Sequence, residues 1–214
     1  MEGITLKHNI IDQFQQIPTT CISDAMQGMN NLDPRIKPLT EEYRIAGRAL
    51  TVQMPVGDNM AVLRAIREAK PGDILVVDAK GDEYRAIAGD FVVGMAQSLG
   101  IKGIIVDGTI RDILGIKKLH FPVFSRGTTA AASGKAGGGE INVPISCGGA
   151  PVHPGDIVVG DADGVVVVPQ ALEQEVLRNA LAKLDKDNMR AAQYSGNPEK
   201  IILYLDEIIG TAQS

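Results

Sequence analysis

The sequence predicts an α/β fold, and three observations carry that expectation. Apolar runs of strand length alternate with segments whose apolar residues fall at helical spacing. Turn punctuation such as Pro71-Gly72-Asp73 stands between one kind of segment and the next. The 214 residues are 44% hydrophobic and 22% charged, the balance of a soluble globular chain with one substantial core. We therefore expect a single domain over residues 1–214, with C-terminal helices from about residue 169 to residue 210.

Leu50, Val52 and Met54 alternate with Ala49, Thr51 and Gln53, which predicts a half-buried strand. Val62, Ala65, Ile66 and Ala69 then fall at i, i+3, i+4 and i+7, one face of a helix opened by Asp58 or Asn59. Pro71-Gly72-Asp73 ends that helix and leads into an apolar strand over 74–77. A second helix carries Val92, Met95, Ala96 and Leu99, with Asp90 at its start and Gly100 placed to cap its end. A strand over 103–106 follows at once, then Asp107-Gly108 and a short helix from Asp112.

After Phe121-Pro122 the texture changes. Residues 127–150 are rich in Gly, Ala, Ser and Thr, and predict a surface loop followed by a hairpin. The stretches 157–159 and 165–168 read as short buried strands joined at 161–164. Pro169 opens a C-terminal helix on which Leu177, Ala180, Leu181 and Leu184 share a face. A last helix carries Ile201, Tyr204, Leu205 and Ile208. The run 71–81 echoes 154–164, both reading as turn, buried strand and turn, which suggests two similar edges of one β-layer.

Several functions fall away on composition. A net charge of −5, no run of Lys and Arg, no Trp and only 4% aromatics leave no footprint for nucleic acid. The first 18 residues lack the apolar stretch of a secretion signal, and no apolar run is long enough to span a bilayer. Cys21 and Cys147 lie far apart, so a cytoplasmic protein with free thiols is expected. Cys147 has nothing nearby to lower its pKa and reads as a small buried residue. His8, His120 and His153 lack the spacing of a zinc site, and His120 reads as structural. The Gly-rich stretch 134–139 fails as a P-loop: Lys135 is followed by Ala136, and Thr129 stands where the first glycine belongs.

The stretch 89–112 is the one that carries chemistry. Gly89-Asp90 opens a helix, so the first amides face outward with the positive end of the helix dipole, a seat for a small carboxylate or phosphate. The next strand ends in Asp107-Gly108-Thr109-Ile110-Arg111-Asp112, which in a parallel unit lies at the ligand-binding carboxyl edge. Asp90, Arg111 and Asp112 converge there by topology. A carboxylate suits a hard divalent ion, arginine suits a carboxylate or enolate, and a second carboxylate suits proton transfer. On spacing alone, a capping Asp90 and an Arg111–Asp112 pair bridging to neighbours explain the same residues more simply.

The run Gly89-Asp90-Phe91-Val92-Val93-Gly94-Met95-Ala96, followed by residues 103–112, resembles the family of class II 4-hydroxy-4-methyl-2-oxoglutarate aldolases and ribonuclease-activity regulator A (RraA-like) proteins. Further blocks fit in family order: residues 20–25, Gly47-Arg48-Ala49-Leu50-Thr51-Val52, Asp58-Asn59, Phe121-Pro122-Val123-Phe124 and residues 154–169. The resemblance spans about residue 18 to residue 170. It implies a compact swivelling β/β/α sandwich, assembled as a homotrimer or a dimer of trimers with sites between subunits. It implies cleavage of 4-hydroxy-2-keto acids to release pyruvate, with oxaloacetate decarboxylation as a second activity. By motif, Asp112 would hold Mg²⁺ or Mn²⁺, Arg111 the substrate carbonyl or enolate oxygen, and Asp90 a water. The backbone of Gly89, Asp90, Phe91 and Val92, with Val93 as a further member, would receive the pyruvate carboxylate.

The family also places an acidic residue of a neighbouring subunit near the site, for which Glu173, Glu175, Asp185 and Asp187 remain open. Two other readings stand beside the aldolase. One is a non-catalytic regulator that binds a ribonuclease or RNA helicase; relatives of that kind tend to lack the carboxylate at Asp90. The other is a quinone methyltransferase, which would need a Gly-rich loop after the first strand and an acidic residue on the second, and neither is present.

Overall fold

The computed structural model describes residues 9–211, so His8 lies outside the described residues. Helices α1 (Ile10–Gln15) and α2 (Thr19–Ala25) precede β1 (Lys37–Pro38) and β2 (Ile45–Gln53). Then α3 (Met60–Glu68), β3 (Asp73–Ala86), α4 (Asp90–Ser98), β4 (Gly103–Ile110), α5 (Ile113–Lys118) and β5 (Val123–Thr128) alternate. Five short strands follow: β6 (Glu140–Ile141), β7 (Ile145–Cys147), β8 (Ala150–Val152), β9 (Ile157–Asp161) and β10 (Gly164–Val168). A 3-10 turn at Gln170–Leu172 leads into α6 (Glu173–Tyr194), and α7 (Pro198–Thr211) comes last.

The eight-stranded sheet runs β1-β5-β4-β3-β2-β9-β10, with β6 added beside β2. Strands β2 to β5 are mutually parallel, because a helix between each and the next returns the chain to the same edge. Strands β9, β10 and β1 pair antiparallel to their neighbours. The sheet is nearly closed. Leu32 N–H donates to Val165 O at 3.0 Å and Val167 N–H to Asn30 O at 3.0 Å, covering the free edge of β10. The same stretch then leads to β1 on the far edge, where Lys37 Nζ reaches Asp163 O at 2.7 Å.

Alternation along the central strands separates two apolar faces, not an apolar face from a wet one. Leu75, Val77, Ile104 and Val106 pack under α3, α4 and α5, while Ile74, Val76, Ile105 and Phe124 fill the interior against β7 and β8. At the other end, Ile157, Val159, Val166 and Val168 lie under α1, α2 and α6. This corrects the half-buried reading of β2, which is buried on both faces as parallel strands usually are. The echo of 71–81 in 154–164 does not mark two edges either. Strands β3 and β9 flank β2 on opposite sides, one parallel and one antiparallel.

Helix faces shift by a residue from the expected pattern. On α4 the buried residues are Val93 and Ala96, while Val92 and Met95 are half-buried and Leu99 is exposed. On α6 they are Val176, Leu177 and Ala180, and Leu181 is exposed. Helices α1 and α2 have no counterpart in the sequence reading. Among the described residues no helix is long and apolar enough to cross a membrane. Cys147 is fully buried and burial pushes its thiol well up; Cys21 is buried too and raised for the same first reason. His120 is exposed in a left-handed backbone conformation, not enclosed as expected of a structural histidine.

A charged knot closes the interior at the carboxyl ends of β4 and β5. The Asp107 carboxylate pairs with Arg126 and accepts from Gly148 N–H, which pins the β7–β8 turn, while Arg126 also holds Asp33 at 2.9 Å. Removing one member of such a pair strands its partner's charge. Arg126→Met is expected to destabilise the fold by about 3–5 kcal/mol in urea unfolding, and a loss near zero would show the knot to be dispensable.

Candidate active site

The carboxyl edge of β3 and β4 is where the predicted residues meet. The last ladder residue of β3, Ala86, pairs with Thr109, and beyond it the two segments stay together: Ile87 N–H donates to Thr109 O at 2.9 Å, and Arg111 N–H donates to Ala88 O at 3.0 Å. The backbone before α4 is thereby laid against the backbone before α5. Gly89, the N-cap of α4, is extended and buried. A Cβ there would overlap Asp112 Oδ2 and touch the Arg111 side chain, so any larger residue would push that carboxylate out of its present place.

Asp112 caps α5 with φ of +58°, a left-handed conformation uncommon for a side chain-bearing residue. That conformation does not serve the helix, since the carboxylate makes no capping bond. Instead Oδ2 faces Arg111 Nε at 3.3 Å, with both side chains close to half exposed. Such a pair contributes little to stability in water and leaves both groups available to a ligand.

Asp90 opens α4 and lies over the first turn of α5. A Cβ on Gly115 would overlap Asp90 Oδ2, so a second glycine makes room for the second carboxylate. Asp90 Oδ1 accepts from its neighbour Phe91 N–H at 2.7 Å. This alters the expected amide seat. Phe91 N–H is occupied by Asp90 and Val93 N–H by Gly89 O, whereas the N–H groups of Gly89, Asp90 and Val92 have no acceptor among the described residues. The Phe91 ring itself is largely exposed.

Sequence reasoning missed Gly115. The signal was present, since glycine inside a helix costs about 1 kcal/mol relative to alanine and asks for a packing reason. It weighed Lys135 only as part of a P-loop that failed, whereas the residue lines a groove of about 1110 Å³ together with Asp90, Phe91, Met95 and Leu63. The four acidic candidates of α6 are not part of this site within one chain, because α6 packs with α1 and α2 and not with α4. Glu173 is held by Arg48, and Asp187 by Lys183 at 3.0 Å and Arg190 at 2.8 Å. Glu175 and Asp185 are exposed and have no ion pair among the described residues.

No three His, Cys, Asp or Glu side chains converge on a metal position among the described residues. The chemistry of Asp112 nevertheless fits a hard divalent ion. It is an exposed carboxylate whose remaining oxygen faces no partner among the described residues, and such ions keep most of their shell as water and substrate oxygens.

Comparison with known proteins gives the family. A protein of Halalkalibacterium halodurans named "Putative 4-hydroxy-4-methyl-2-oxoglutarate aldolase" is 57% identical over 201 residues, covering 94% of this chain and 96% of its own. The crystal structure of Streptomyces coelicolor RraAS2, described as an unusual member of the RNase ES inhibitor RraA family, superposes with a TM-score of 0.77 at 28% identity. It covers 86% of this chain and 96% of that one. A Geobacillus kaustophilus structure titled as an S-adenosylmethionine:2-dimethylmenaquinone methyltransferase gives 0.67 at 32% identity, over 72% and 95%. The family profile described as Aldolase/RraA matches residues 19–167, well over half of the chain, and the chain therefore belongs to the RraA-like family.

Proposed function

We propose that this protein is a divalent-metal-dependent aldolase that cleaves 4-hydroxy-2-keto acids, such as 4-hydroxy-4-methyl-2-oxoglutarate, to release pyruvate. The observation that carries the reading is the meeting of two carboxylates and an arginine at two helix starts, each carboxylate given room by a glycine. The relative named as an aldolase supports it at 57% identity over nearly its whole length.

In the cleavage direction the C4 hydroxyl gives up its proton and the C3–C4 bond breaks. The outer fragment leaves as a carbonyl compound, and the electron pair stays on the three-carbon enolate, which takes a proton at C3 to become pyruvate. The free amides of Gly89, Asp90 and Val92 receive the pyruvyl carboxylate at the positive end of α4. Arg111 donates to the carbonyl oxygen and holds it more tightly as the enolate charge develops. Asp90 moves the proton. Its Oδ1 is fixed by Phe91 N–H, which leaves Oδ2, above Gly115, to take the hydroxyl proton through a water. Asp112 would hold Mg²⁺ or Mn²⁺, whose charge would further stabilise the enolate oxygen. Loss of CO₂ from oxaloacetate generates the same enolate, so decarboxylation is a second activity of one site.

The regulator reading has one observation in its favour, the likeness to a structure described as belonging to an RNase inhibitor family. Asp90 is in place here, which favours the enzyme. The methyltransferase title of another likeness has no support in this chain, because β2 runs into Met54-Pro55-Val56-Gly57-Asp58 and offers no cofactor-cradling glycine run.

We further propose a homotrimer or a dimer of trimers. Phe91 on α4, Leu99 at its C-cap, and Ile202, Leu203 and Ile209 on α7 are exposed apolar side chains of the kind that a subunit contact would cover.

Four outcomes are expected. The purified protein releases pyruvate from 4-hydroxy-2-keto acids and from oxaloacetate; EDTA abolishes turnover and Mg²⁺ or Mn²⁺ restores it, whereas EDTA-resistant turnover would refute the metal. Steady-state kinetics of site variants should separate the roles: Asp112→Ala inactive, Arg111→Lys weaker by about 2–4 kcal/mol in kcat/KM, and Asp90→Asn slower by on the order of 10²-fold. Asp90→Asn should still bind oxalate, a planar enolate mimic, in calorimetry with Mg²⁺ present. Sedimentation at assay concentration should give an oligomer, and a fully active monomer would overturn the assembly.

A further inference from the structure

We propose that Lys135 determines substrate specificity by receiving a second carboxylate on the half of the substrate that leaves. This rests on the aldolase reading above and adds to it the residue that chooses among 4-hydroxy-2-keto acids.

Lys135 belongs to the segment 129–139 between β5 and β6, which the sequence presents as a featureless Gly-rich loop. The loop is tied down on both sides of it. Ser133 Oγ donates to Ala86 O at 2.8 Å, Asn59 N–H donates to Gly134 O at 3.1 Å, and Gly134 N–H donates to Gly57 O at 2.7 Å. On the other flank the buried Asp58 carboxylate accepts from Ala136 N–H and from Gly137 N–H. Two anchors immediately around one residue fix its backbone. The Lys135 side chain, by contrast, is exposed and forms no ion pair among the described residues.

Position gives that free ammonium a purpose. Asp58 and Asn59 stand at the start of α3, and Asp90 stands at the start of α4. Both helices follow parallel strands, so both starts lie at the same sheet edge. Lys135 and Asp90 accordingly line one groove, of about 1110 Å³. With the pyruvyl half held on the α4 amides and Arg111, carbon 4 lies at the Asp90 carboxylate and its substituents extend along the groove. A carboxylate there would meet Lys135, which among the described residues is the groove's cation at this end. Arg67, the groove's other cation, lies in the last turn of α3, about 10 Å further along the helix axis. A cation whose backbone is held in advance loses little freedom on meeting its partner, so it discriminates well between a carboxylate and a methyl group.

The test compares two substrates that differ only there: 4-hydroxy-2-oxoglutarate, with a carboxylate on carbon 4, and 4-hydroxy-2-oxopentanoate, with a methyl. The readout is the ratio of their kcat/KM values by pyruvate release. Lys135→Met is expected to lower that ratio by on the order of 10- to 100-fold, chiefly through KM for the diacid. Lys135→Arg should keep most of the preference, and Arg67→Met should keep the wild-type ratio. An unaltered ratio in Lys135→Met, an equal fall on both substrates, or an equal effect of Arg67→Met would overturn the assignment while leaving the aldolase standing. A wild-type protein that releases pyruvate from neither substrate would refute the aldolase reading itself, and the role of Lys135 with it.

Discussion

Two backbone hydrogen bonds decide where Asp90, Arg111 and Asp112 lie relative to one another. Ile87 N–H to Thr109 O and Arg111 N–H to Ala88 O extend the β3–β4 pairing past the last regular residue. Without them the two chains would diverge as α4 and α5 begin, and Gly89 would have no reason to lie against Asp112. With them, the starts of α4 and α5 are laid side by side, with Asp112 against Gly89 and Asp90 against Gly115, although Asp90 and Arg111 are far apart in sequence. The constraint is geometric and belongs to the main chain, so side chain identity enters only through what the approach can tolerate.

That tolerance explains the glycines. At Gly89 and Gly115 a methyl group would occupy the volume of a carboxylate oxygen, Asp112 Oδ2 in one case and Asp90 Oδ2 in the other. The two helices thus pack with each carboxylate opposite an absence of side chain. Neither acid is locked into an internal ion pair strong enough to consume it, and Asp112 adopts a left-handed backbone conformation in which it caps nothing. A residue that bears conformational strain without a structural return is what a functional site leaves behind.

The legible part of this protein was the part with short-range rules. Helical spacing, turn residues and apolar runs located α3, α4, β3, β4 and the β9–β10 pair, because each is written within a dozen residues. The strand–helix–strand alternation placed Asp90, Arg111 and Asp112 at one edge. What escaped depended on distant partners. The burial of β2 on both faces needs to know that β7 and β8 cover its inner side and α3 its outer side. The helices α1 and α2 are six and seven residues long and owe their packing to β9, β10 and α6, so local periodicity has little to report. The 129–139 loop reads as flexible because its order comes from Asp58, Asn59 and Ala86, residues met long before it.

The proposed reaction would bring anionic substrates to an acidic protein, a charge problem that has to be solved locally. The chain carries −5 overall, and its site contains two carboxylates that the chemistry requires. A 2-keto acid with a second carboxylate brings two more negative charges into the same space. Arg111 offsets Asp112 at close range. The α4 terminus presents three unsatisfied N–H groups, whose partial positive charge cannot be titrated away. An ion on Asp112 would turn the remaining acid from a repulsive group into a ligand. In the role proposed for it, Lys135 would add a mobile positive charge on the far side of carbon 4, on a backbone that Asp58 holds in place. The arrangement divides labour by rigidity: fixed dipoles for the half of the substrate that never changes, and a long flexible cation for the half that does.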